Sequence, residues 1–180
     1  GLAAAGVILS FVYQEFNYDS EHVNSETIFR IIQKDGDQQS PYTFAPLAEE
    51  LKANFPEIEN TVRVSFFYGY LACSTSENKF NETGAIFADP DFFNLFSFPL
   101  ISGNSKDCLL SPNSVVISQK ASKKYFGNED PVGKSFKVGE HKEIIVSGVF
   151  EDFKSNSNFQ GDLVFPLEKI SKLTQIWIEP

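Results

Sequence analysis

Apolar residues recur along this chain with two periods, two and about 3.6, and the switches between them mark its elements. Ile28, Phe29, Ile31 and Ile32 make Thr27 to Gln33 read as a strand. Lys34 to Ser40 reads as a turn-rich loop. In Thr43 to Asn54, Phe44, Leu47, Ala48 and Leu51 fall at helical spacing, with Glu49, Glu50 and Lys52 outside and Phe55-Pro56 ending the run. Thr61 to Leu71 returns to alternation, with Val62, Val64, Phe66 and Tyr68 on one face. Strand, helix, strand predicts a βαβ-like unit, with a right-handed crossover if its strands are parallel.

Beyond it, Ser74 to Thr83 is a polar loop expected to close a hairpin, and Ala85 to Ala88 returns as a strand. Asp89-Pro90 reads as the cap and first turn of a short helix that buries Phe92, Phe93, Leu95 and Phe96. Ser102 to Ser111 is a loop.

Ser114 to Asp152 is the most legible stretch. Val115, Val116 and Ile117 form a short β-branched run. Ser118 stands at an N-cap position, Gln119 to Tyr125 reads as a helix, and Gly127 stops it. Asp130-Pro131-Val132-Gly133 is turn chemistry. Two alternating strands follow, Ser135 to Val138 and Glu143 to Phe150, around a turn at Gly139-Glu140. After a polar loop over Lys154 to Gly161, Leu163 to Phe165 is a last strand and Pro166 opens a weak helix toward Lys172.

Leu2 to Val12 is apolar and uncharged, too short for the roughly 20 residues that cross a bilayer. It reads as a signal-peptide core, a buried helix or the end of a truncated membrane helix, and the residues alone leave all three open. Tyr13, Phe16 and Tyr18 follow it, suited either to a membrane interface or to packing under the first strand. A chain without methionine that starts Gly1-Leu2 is expected to be a processed product or an excised piece.

With 180 residues, one domain, or one domain with a sizeable insertion, is expected, and 19 phenylalanines make its core aromatic. The net charge of -9 argues against a nucleic-acid partner and against docking on anionic lipid through basic residues. Cys73 and Cys108 are the only cysteines, and whether they pair stays open. Two cysteines and two histidines without close spacing do not make a structural zinc site.

Several short pieces, in order, resemble the extracytoplasmic core domain of the MacB/FtsX-like family of ABC-transporter permeases. They are Asn113 to Ser118, Tyr125-Phe126-Gly127, Asp130 to Lys134 and Val146 to Asp152, preceded by Phe87 to Phe93, Phe96 to Leu100 and Gly103. Tyr18-Asp19, Ile28-Phe29-Arg30, Phe55-Pro56-Glu57 and Val62-Arg63-Val64 fit the same pattern nearer the start. The resemblance implies an α+β fold of two lobes: a βαβ-type lobe near the membrane, and a strand-rich lobe inserted from about residue 72 to 165. It favours reading residues 1–14 as the end of a truncated transmembrane helix and 15–180 as a periplasmic core domain that is incomplete at its C-terminal side. It also implies a place at the inner membrane facing the periplasm, a second permease copy, a separate cytoplasmic ATPase and an envelope partner. The implied work is mechanical, with no cofactor, metal or catalytic residue.

The candidate chemistry points the same way. Gly127 to Gly133 leaves five residues before Lys134, where a phosphate loop needs four, and Glu129, Asp130 and Pro131 oppose an anion. Ser76 and Lys79 match a serine–lysine spacing but lie in a polar loop. His22 and His141 each have only a neighbouring Glu. Asp89 and Asp91 are accounted for by helix capping, and Glu151 and Asp152 by a solvated turn. Asn81-Glu82-Thr83 is a glycosylation sequon, meaningful only in a eukaryotic secretory chain. Phe66, Phe67, Tyr68 and Tyr70 are the candidate partner contact: alternate residues of a strand point outward, so one buried face cannot hide all four. Burial on both faces is the competing reading. A soluble ligand-binding or adhesion module using a Phe-lined cleft is the alternative function.

Overall fold

The computed structural model describes residues 5–7, 9, 23, 25–76, 78–139 and 142–169. Within them the order is β1 (Gln33–Asp35), β2 (Gln38–Ser40), α1 (Leu47–Asn54), β3 (Val64–Ser74), β4 (Lys79–Ala88), α2 (Phe92–Leu95), β5 (Leu100–Gly103), β6 (Ser114–Ser118), α3 (Gln119–Phe126), β7 (Ser135–Val138), β8 (Lys142–Phe150) and β9 (Leu163–Pro166). A 3-10 turn, Leu167–Lys169, stands where a weak helix was expected.

The architecture is α+β. Seven strands lie in the order β5-β8-β6-β9-β4-β3-β7, and β7 also pairs with β8, so six of them close into a ring. The pairings mix directions: β3 and β4 are antiparallel, whereas β4 and β9, and β6 and β8, are parallel. The parallel pair β6 and β8 is joined through α3 and β7, the long crossover that parallel strands require.

Alternation sorts the side chains. Leu71, Cys73, Ala85, Phe87, Val115, Ile117, Phe136, Val138, Ile144, Val146, Leu163 and Phe165 fill the interior of the ring, closed by Ala121 and Tyr125 of α3. The intervening residues Ile86, Ala88, Val116 and Val164 face outward, under a second layer with Phe92, Phe93, Cys108, Leu109, Phe150 and Phe159. The strands are therefore apolar on both faces, as buried strands must be. Phe159 is central to the second layer, its ring centroid 5.2 Å from that of Phe92 and 4.7 Å from that of Phe96. Deleting such a ring costs about 3–5 kcal/mol.

The end of α3 that meets β6 is built as the sequence predicts. Ser118 Oγ accepts from the Ala121 N–H at 3.0 Å and donates to Asp162 Oδ1 at 2.7 Å. The helix ends at Gly127, φ 62°, whose N–H reaches the Lys123 carbonyl.

The region before β3 departs from expectation. Residues 28–32 carry no strand; the first extended residues are Gln33–Asp35, paired with Gln38–Ser40 in a hairpin of their own. The helix expected over Thr43 to Asn54 begins at Leu47 and buries no residue. Phe29, Ile31, Ile32, Tyr42, Phe44 and Phe55 are all exposed. A local pattern sets a preference, but a strand needs a partner, and none pairs with residues 28–32 among the described residues. Most of Leu2 to Val12, with Tyr13, Phe16, Tyr18, His22 and His141, lies outside the described residues. Among those described, no helix is long and apolar enough to cross a membrane.

Candidate partner-contact surface

The four aromatics of β3 part company. Phe67 turns inward and packs against the ring interior. Phe66 is at the rim of the phenylalanine layer, its ring 6.0 Å from that of Phe159 and 6.1 Å from that of Tyr68. Tyr68 and Tyr70 stand clear of that layer, 85% and 69% exposed. Aromatics this exposed on a two-sided strand show that the cover over the outer face stops at Phe66.

A β-bulge lies beside them. Phe67 pairs with Ala85 and Tyr70 with Thr83, so Tyr68 and Gly69 oppose Gly84 alone. Gly84 takes φ +85°, and a Cβ there would lie 3.3 Å from the Phe67 carbonyl oxygen. The Phe67 ring lies over Gly69, where a Cβ would fall 2.4 Å from its Cζ. Unbroken alternation along β3 seats Phe67 inside while Phe66, Tyr68 and Tyr70 project out.

Behind this surface the ring interior holds a charged group. Glu82, on the inward face of β4, is 6% exposed. Its Oε1 accepts from Lys124 Nζ at 2.6 Å and from the Tyr125 hydroxyl at 2.6 Å. Lys124 also lies 5.3 Å above the Phe80 ring. Burial holds the Tyr125 hydroxyl far above its usual pKa, and the Cys73 thiol beside it is pushed up to about 11, mainly by burial. A carboxylate taking two donors from α3 on one oxygen ties β4 to that helix beneath the aromatic strand. The sequence concealed it: counting back by twos from the inward Ala85 and Phe87 reaches Thr83, and only the irregularity at Gly84 turns Glu82 inward, opposite Leu71.

The other sequence candidates resolve into structure. Gly133, φ +84°, donates its N–H to the Val146 carbonyl at 2.8 Å, so that donor is already engaged in a turn. Lys134 is paired with Glu129 and lies 5.7 Å from the Phe126 ring centre. Ser76 and Lys79 flank the β3–β4 turn, which the Thr75 N–H closes on the Asn78 carbonyl at 2.9 Å. Two capping assignments are corrected. Asp89 does not cap α2 with its side chain but grips Arg63; Asp91 holds the N-cap position, with no side-chain cap bond. Asp152 serves α3, its Oδ1 accepting from the Lys120 N–H at 2.9 Å. The phenylalanines pack into a layer rather than lining a cleft. Cys73 and Cys108 are both free and buried, in different clusters on opposite faces of the strands. Burial also pushes the Cys108 thiol up to about 11. A groove of about 390 Å³ runs between β5, α3 and the turn after it, with Ile101, Val149 and Pro131 among its apolar walls. No group of three His, Cys, Asp or Glu side chains fit to hold a metal occurs among the described residues.

A mixed strand ring closed by a short helix defines the class as an α+β domain built on a closed sheet. The chain belongs to the MacB-like periplasmic core domain family, whose model matches residues 1–179. It is similar to a solved domain described as that of a permease protein from Porphyromonas gingivalis, at 25% identity and a TM-score of 0.59, over 68% of this chain and 56% of that one. It also shares the fold of the periplasmic region of MacB from Actinobacillus actinomycetemcomitans, at 21% identity and a TM-score of 0.56, over 71% of this chain and 56% of that one. The matched region thus spans little more than half of these relatives. No curated protein matches the chain by sequence.

Proposed function

We propose that this domain belongs to an ABC-transporter permease subunit and passes on conformational change driven by a separate cytoplasmic ATPase. In this reading residues 1–14 end a transmembrane helix of the inner membrane, and residues 15–180 stand in the periplasm. A second permease copy works beside it, and Phe66, Tyr68 and Tyr70, seated by the inward Phe67, meet a periplasmic or envelope protein. The observation that carries the reading is the exposed aromatic stretch of β3 on a ring packed on both faces. Such a body moves as a unit, and large exposed aromatics on it suit a protein contact. Family membership supports the transporter context.

The test uses the full-length permease with its ATPase in sealed cells. A Tyr70→Cys variant, with Cys73 and Cys108 buried, is treated with a membrane-impermeant maleimide. Labelling from the periplasmic side, at a rate that changes several-fold when ATP hydrolysis is blocked, is expected. Labelling only after the inner membrane is opened, or at a rate indifferent to nucleotide, refutes the proposal.

A further inference from the structure

The strand that carries the exposed aromatics begins beside an arginine with two sets of partners. On one side, Arg63 Nε and Nη2 donate to the two carboxylate oxygens of Asp89 at 2.9 and 3.0 Å. The backbones reinforce this: the Arg63 N–H donates to Asp89 Oδ2 at 2.8 Å, and the Asp89 N–H to the Arg63 carbonyl at 3.1 Å. Asp89 directly follows β4, a ring strand hydrogen-bonded on both edges, and precedes α2, which inserts Phe92 and Phe93 into the outer layer.

On the other side the grip is lighter. Arg63 Nη1 donates to the Ala45 carbonyl at 3.2 Å and lies 3.8 Å from Glu49, whose side chain is 80% exposed. Two more bonds reach α1 from the same stretch: Thr61 Oγ1 to the Ala48 carbonyl at 3.2 Å, and Lys52 Nζ to Asn60 Oδ1 at 3.3 Å. Asn60 in turn donates to Asp91 at 3.0 Å. No residue of α1 is buried.

The two sides differ in kind. A bidentate arginine–carboxylate pair with two flanking backbone bonds is directional and strong. A single bond to a carbonyl plus a long ion pair to an exposed carboxylate is weaker and screened by water. An interface made of such bonds opens without exposing a core.

We infer that Arg63 is a joint: it stays locked to Asp89 while residues 45–55 swing about it. This deepens the transmission reading and rests on it for its biological meaning. Movement of α1 is passed through Arg63 into β3, whose exposed end at Tyr70 lies roughly 20 Å along the strand. The charges facing the guanidinium are Asp89, Glu49 and Glu168.

Hydrogen exchange on the 180-residue chain tests the joint without reference to transport. Leu47, Glu50 and Phe55 donate amides in the α1 segment, and Val116, Ile117 and Val164 lie in buried ring strands. A Thr61→Ala, Glu49→Gln variant, which leaves the Asp89 pair whole, is expected to speed exchange at the first three amides at least five-fold and leave the ring amides unchanged. Arg63→Lys keeps the charge, loses the fork and should do the same. Both regions accelerating together would make Arg63 a general fold stabiliser, and no acceleration in either variant would mean the lighter side holds nothing; either result overturns the joint. If the joint passes and nucleotide-dependent labelling at position 70 fails, the joint stands and the transmission reading falls.

Discussion

Glu82→Ala is the substitution that most directly tests how the ring is held. The carboxylate is 7% exposed and takes both the Lys124 ammonium and the Tyr125 hydroxyl on one oxygen. Truncation leaves the buried Tyr125 hydroxyl without its charged acceptor, at about 1–3 kcal/mol. The lost ion pair adds less, because Lys124 is 39% exposed and turns to water, so about 0–1 kcal/mol is appropriate there. Together these give a loss of about 1–4 kcal/mol, a fall in Tm of roughly 3–15 °C for a chain of this size. Urea unfolding followed by circular dichroism reads it as a lower midpoint with an unchanged slope. Glu82→Gln, which still accepts from the tyrosine, is expected to lose about half as much. Tyr125→Phe supplies the other arm of a double-mutant cycle, with a coupling of about 1 kcal/mol. A loss below about 0.5 kcal/mol for Glu82→Ala would refute the argument, since a surface substitution does no more than that.

The remaining expectations concern other parts of the fold. Ser118→Ala removes the cap of α3 and the bond to Asp162 and should cost about 1–2 kcal/mol in the same unfolding assay. Gly103→Ala places a Cβ 2.6 Å from the Ser147 carbonyl at φ +95°, and should lower the urea midpoint by more than 2 kcal/mol equivalent, roughly the strain of the left-handed conformation plus a backbone clash. Both thiols should resist a disulfide reagent at neutral pH in the folded chain and react once urea unfolds it. They also predict an alkaline slope. Each folded-state pKa, about 11, lies above the unfolded value of 9.0, so their contribution is whole below pH 9 and is lost as pH rises toward 11. A Cys73→Ala, Cys108→Ala variant should unfold with a shallower pH dependence over that window than the parent chain.

Legibility in the sequence followed how local the determining physics is. Ser114 to Phe150 was readable because its signals are short-range: a β-branched run, an N-cap serine, a stop glycine, a turn and a hairpin. The outward and inward division of Phe66 to Tyr70 was readable from alternation alone. The register shift at Tyr68 and Gly69 was not, because it depends on Gly84 in another strand. The ring closure through β7 could not be read, because it rests on two residue pairs between β3 and β7 far apart in sequence. Phe159 lies in a loop that reads as polar; a lone aromatic among Ser and Asn shows its burial only when the layer it plugs is present. Residues 28–32 show the opposite failure, a strong strand pattern with no strand to join among the described residues. Arg63 and Asp89 lie 26 residues apart, and a cap explained the aspartate well enough to conceal its real partner.

The circular pairing of the strands has a bearing on crowding. An open sheet offers rows of free amides and carbonyls, which invite a neighbour to add on and start a fibre. In this ring that invitation is withdrawn only where β7 bridges β8 to the end of β3; β7 meets β3 at Cys73 and Ser74 alone, so the other edge of β3 from Val64 to Leu71 has no strand partner among the described residues. The main sheet's terminal strand, β5, is four residues long and interrupted by an irregularity at Ile101. Copies held side by side at high local concentration therefore meet one stretch of backbone, the aromatic part of β3, along which a neighbouring strand can still add.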